Sequence, residues 1–71
     1  MYDYRRPIKI KDLKVGQWFT LKHIEYPTGS QVYIRGKYDR SERKYECGRF
    51  DDHSYSRMLS GDRIAYLDFL F

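Results

Sequence analysis

Apolar and aromatic residues recur at alternate positions in short runs, and each run is stopped by a cluster of glycine, proline, serine or aspartate. A period of two is the signature of strands and leaves no amphipathic helix of useful length. From Val15 the pattern puts Val15, Gln17, Phe19, Leu21 and His23 on one face. Trp18, Thr20, Lys22, Ile24 and Tyr26 fall on the other. Pro27-Thr28-Gly29-Ser30 is a turn signal. A second strand follows over 31–38, with Val32, Ile34, Gly36 and Tyr38 facing one way and Gln31, Tyr33, Arg35 and Lys37 the other. Gly36 within it marks a bulge or a close backbone approach. The polar run from Asp39 to Arg43 reads as a hairpin loop, and 44–50 as the returning strand. Residues 55–59 are short and ambiguous, although Met58 and Leu59 need cover. Ser60-Gly61-Asp62 is a further turn, before a last strand over 63–71 whose tail is apolar on both faces.

A tail apolar on both sides fits either the closing strand of a barrel or packing on a partner chain; the barrel is favoured, because closure removes exposed edges from a small sheet. The expected fold is therefore all-β: a small five-stranded barrel with at most one short helical turn, the latter at Asp12. Residues 1–9 are expected as an N-terminal arm and 10–71 as a single domain. The expected core is Phe19, Leu21, Val32, Ile34, Ile64 and Leu67. The chain has 71 residues, enough for one domain with a small core. Eight tyrosines, four phenylalanines and one tryptophan are too many rings for a disordered tail.

At Leu13-Lys14-Val15-Gly16-Gln17-Trp18-Phe19-Thr20-Leu21 the chain resembles the opening of short uncharacterised proteins from bacteria, phages and mobile elements. Val32-Tyr33-Ile34-Arg35-Gly36 resembles their second strand, and 60–67 their Gly-Asp turn and closing strand. The resemblance implies an SH3-like barrel over most of residues 10 to 70. It carries over no catalytic or binding residue.

Charge and composition narrow the function classes. No run approaches the ~20 apolar residues of a membrane-spanning helix, and the opening residues lack the apolar stretch of a secretory signal. A lone cysteine, Cys47, offers neither a disulfide nor a multi-cysteine zinc site. The expectation is a cytoplasmic protein, monomeric or weakly dimeric, with no membrane partner. The formal net charge is +4, distributed as +4 over residues 1–24, +2 over 25–50 and −2 over 51–71. His23, Cys47 and His53, with Asp51 and Asp52, are the residues a nucleophile–base set or a metal site would draw on. No nucleophile motif or phosphate loop accompanies them, and adjacent aspartates in a turn ordinarily bond the local backbone. No enzyme, metal or cofactor is expected.

Binding remains. Rings set among cations suit either a protein interface, where Tyr, Trp and Arg concentrate, or single-stranded nucleic acid, whose bases stack while Lys and Arg meet phosphate. The partner-binding candidates are Trp18, Tyr26, Tyr33, Arg35, Lys37, Arg40, Arg43, Lys44 and Arg49, with Tyr38 and Tyr55 as further rings. The Tyr33, Arg35 and Lys37 side of the second strand, with the hairpin from Arg40 to Lys44, is the expected face. A protein-interaction adaptor or inhibitor is the favoured reading, and a nucleic-acid-binding module is the alternative.

Overall fold

The computed structural model describes residues 7–67 and Phe69. Six antiparallel strands form one sheet: Pro7–Lys9 (β1), Trp18–Thr20 (β2), Val32–Asp39 (β3), Lys44–Arg49 (β4), Asp52–Leu59 (β5) and Ile64–Tyr66 (β6). Their spatial order is β1-β6-β2-β3-β4-β5. The protein is all-β, and its helical content among the described residues is two 3-10 turns, Ile10–Asp12 and Gly29–Gln31. The sequence points to five strands, closure and one helical turn. The sheet has six strands and is open among the described residues, with β1 and β5 as its edges. Pro7–Lys9, read as part of an arm, is an edge strand paired with β6.

The expected first strand is cut short, because only Trp18–Thr20 stays in the ladder. The fully buried Thr20 hydroxyl donates to the Lys22 carbonyl at 2.9 Å and turns the chain out of the sheet. Upstream, Gly16 adopts φ +88, and its N–H donates to the Arg35 carbonyl. A side chain is strained in that left-handed conformation. The turn signal at 27–30 becomes a 3-10 turn closed by a capping box between Thr28 and Gln31. In the hairpin loop one carboxylate oxygen of Asp39 accepts the N–H groups of Ser41 and Glu42. The last strand is Ile64–Tyr66; the rest of the apolar tail lies partly outside the described residues.

The main core gathers Ile10, Leu13, Phe19, Cys47, Leu59 and Ala65, with Ile8, Leu21, Tyr33, Tyr45 and Leu67 packed against it. Of the expected core, Phe19 is central and Leu21 and Leu67 are at the margin. Ile64 is 38 % exposed, since its neighbour Ala65 points inward. Val32 is fully buried yet outside this cluster. It sits opposite Thr20 in the register, one residue out of phase with the Phe19–Tyr33 pair, so both belong to the other face of the sheet. Trp18 and Ile34 pair on that face too, and Trp18 meets Phe50 edge-on at 4.9 Å. At Thr20 and Val32 the sheet is thus covered on both sides.

Cys47 is fully buried; its thiol donates weakly to the Tyr45 carbonyl, and burial pushes its pKa up. The unfolded chain therefore loses this proton at lower pH than the folded chain, and stability falls as pH rises from the ordinary thiol value towards the raised folded one. Cys47 is expected to resist a thiol reagent such as Ellman's at mildly alkaline pH and to react at once in denaturant. Rapid labelling of the native protein would contradict its place in the core.

Candidate binding surfaces

The face proposed from sequence is not assembled. Tyr33 stacks on Phe19 at 5.8 Å, on the core side of the sheet. Arg35, one pleat along, follows it inward. Its guanidinium lies 4.3 Å over the Tyr45 ring and donates to the Gly36 carbonyl, while Nε is buried without a hydrogen-bond partner. Arg35 thus packs on the Tyr45 ring on the core side of the sheet. Between Arg35 and Tyr38 the β3–β4 register slips: Arg35 faces Cys47, Tyr38 faces Tyr45, and Gly36 and Lys37 together oppose Glu46. This bulge puts the exposed Lys37 on the face opposite Arg35. The expectation that Tyr33, Arg35 and Lys37 form one outward face is corrected on both counts: two point in, and the third is carried across the sheet.

The other candidates scatter. Trp18 is 44 % exposed beside Ile34 on the outer face, and Tyr26 is 70 % exposed in the loop after β2. Arg40, Arg43 and Lys44 are exposed at the β3–β4 hairpin, where Arg43 takes a positive φ. Tyr38 packs on Tyr45 at 4.9 Å with half its surface free. Arg49 donates to the Asp51 carboxylate at 2.7 Å, which pushes its pKa further up, and it covers the Tyr55 ring at 4.8 Å.

The residues considered for chemistry do not converge. Cys47 is sealed in the core, whereas His23 is exposed and meets Tyr66 edge-on at 4.1 Å. One Asp52 carboxylate oxygen accepts both the N–H and the hydroxyl of Ser54. The His53 side chain lies outside the described set. Among the described residues no group of three or more His, Cys, Asp or Glu gathers to hold a metal ion, and no helix is long and apolar enough to cross a membrane.

Two concavities are present. One, of about 390 Å³, runs over the outer face from Ile34 and Gly36 across Gly48 to Ser54, Tyr55 and Ser56, with Glu46 and Arg49 also lining it. Its floor is low because two glycines supply no side chain there. The other, of about 340 Å³, is lined by Leu21, Ile24 and Tyr33 together with Lys22, Arg57 and Arg63. Ser30 and Gln31 complete its wall. Lys22, Arg57 and Arg63 drew no attention in the sequence, because they lie far apart in it and no pattern links them.

The open edge of β5 borders the first concavity. Arg35 spends its backbone N–H and C=O on Gln17 and Gly16. Its cross-strand neighbour Cys47 therefore turns its own backbone groups towards β5, where it faces Arg57. By alternation, Ser56 and Met58 direct their backbone groups away from β4, out of the sheet. Comparison with protein-family models, curated proteins and solved structures gave no match.

Proposed function

We propose that the chain is a small, non-catalytic binding module that captures an extended segment of another protein by strand addition to β5. The observation that supports this reading most is the outer side of Ser56 and Met58, unpaired among the described residues, beside the glycine-floored groove. A strand laid along this edge gains main-chain hydrogen bonds, and alternate side chains drop towards the groove. Trp18, Tyr55 and Arg49 supply the ring and cation surface common at protein interfaces. The SH3-like character and the bacterial, phage or mobile-element origin implied by the entry motif belong to the same reading, as does an adaptor or inhibitor role.

The test is selection from a displayed random-peptide library, followed by binding to Ser56→Pro. Proline there removes one outward N–H and leaves the β4 ladder intact, since edge strands tolerate it on the free side. Selected peptides should lose about tenfold or more in affinity for the variant at an unchanged melting temperature. Equal binding to both proteins would sink the reading.

A further inference from the structure

The cavity of about 340 Å³ gathers charge of one sign. Among the described residues it is lined by three cations and no acid. By contrast, Lys9 and Lys11 lie within 4 Å of Asp62, and Arg49 pairs with Asp51. Lys22, Arg57 and Arg63 make no ion pair among the described residues. Like charges gathered without counter-charge repel one another, so the arrangement costs stability that a bound anion would return.

The fold fixes these residues from three separate segments. The Lys22 carbonyl is held by the buried Thr20 hydroxyl just after β2. Arg57 lies on β5 opposite Cys47. Arg63 is anchored through its backbone, its N–H on the Ser60 carbonyl and its C=O receiving the Ile10 N–H. The remaining wall is different in kind: Leu21 and Ile24 are half-buried aliphatics, and the half-buried Tyr33 is backed by Phe19.

We infer that this cavity binds a phosphomonoester carried on a flat, apolar body, of mononucleotide size. Arginine and lysine together match the charge and the several acceptor oxygens of a phosphate. The volume lies within the range of small-molecule sites and far exceeds what a bare phosphate fills. The apolar wall and the Tyr33 ring take the part of the ligand that is not charged. The inference does not depend on strand addition at β5.

The experiment is a titration of labelled protein followed by amide resonances at low salt, with adenosine monophosphate, glycerol phosphate and adenosine as probes. Adenosine monophosphate should shift the amides of Lys22, Tyr33, Arg57 and Arg63 and bind below about 1 mM. Glycerol phosphate should bind more weakly at the same residues, and adenosine should cause no shift. The double variant Lys22→Gln, Arg63→Gln should bind about tenfold more weakly or worse, at an unchanged melting temperature because both side chains are exposed. Raising salt from about 50 to about 200 mM should weaken binding further. Ser56→Pro should bind as the wild type does, which separates this site from the β5 edge. Absence of shifts with adenosine monophosphate, adenosine binding equally well, or undiminished binding to the double variant would each overturn the inference. Glycerol phosphate matching adenosine monophosphate would overturn the flat apolar body as part of the ligand.

Discussion

Phe19→Ala is expected to lose about 3–5 kcal/mol of unfolding free energy in chemical denaturation. The ring is fully buried, stacks on Tyr33 and belongs to the cluster with Ile10, Leu13, Cys47, Leu59 and Ala65. Contributions reach it from both sequence ends, so no single neighbour can move in to fill the space. A domain of this length has roughly 4–10 kcal/mol in all, at about 0.05–0.15 kcal/mol per residue. The loss is therefore a large fraction of the total, and the denaturation midpoint of the variant should fall sharply. Val15→Ala is the control. Alternation assigns Val15 to the same face as Phe19, yet it is 68 % exposed, because the Gly16 turn takes it out of the sheet. That change should cost well under 1 kcal/mol. Equal losses at the two positions would mean that the register of β2 is wrong.

Gly36→Ala should destabilise by about 1–3 kcal/mol or more, although it adds a single methyl group. A Cβ at this position runs into the carbonyl oxygen of Glu46 on the neighbouring strand. The obstacle is backbone held in a ladder, so relief requires β3 and β4 to separate at the bulge. Gly48→Ala provides the contrast. There the nearest atom is the Tyr55 carbonyl oxygen at 3.7 Å, an ordinary contact, so the variant should lie much closer to wild type. Thermal melts of the two variants side by side decide the matter. A Gly36→Ala protein as stable as Gly48→Ala would remove the close approach of the strands.

Period two and the turn residues made the all-β class legible, and with it the long strands β3 and β4 and the breaks at 27–30, 39–43 and 60–62. The alternation could not say which side faced in. Val32 and Ile34 look like the inward set because they are aliphatic, and Tyr33 and Arg35 look outward because they are polar at one end. Cover on both faces of the sheet removes that logic: Val32 is buried against one layer, while Tyr33 and Arg35 turn to the other. The glycine at position 36 announces a bulge, but a bulge reverses every face assignment beyond it, and Lys37 and Tyr38 are the residues so reversed. Ile10 and Leu13 escape a strand pattern because they reach the core from a 3-10 turn.

The candidate sites were less legible for a different reason. Charge summed by segment makes the last third acidic, yet Arg57 and Arg63 from that third stand beside Lys22 around one cavity. Only the pairing of distant strands brings them together. The described acids of that segment are engaged elsewhere: Asp51 with Arg49, Asp52 with Ser54 and Asp62 with Lys9 and Lys11. Net charge along the chain is a poor guide to local potential when acids and cations from one stretch separate on folding.

The β1–β6 pairing has a further effect on how the molecule comes apart. Ile8 lies against Ala65, so one short ladder joins the two extremes of the described chain and encloses every other element in its loop. Tying such distant residues together is entropically unfavourable while the intervening chain is loose, and nearly free once it is ordered. The seam and the interior it fastens therefore depend on one another. Melting is then expected to be a single all-or-none event, with no half of the molecule left standing on its own.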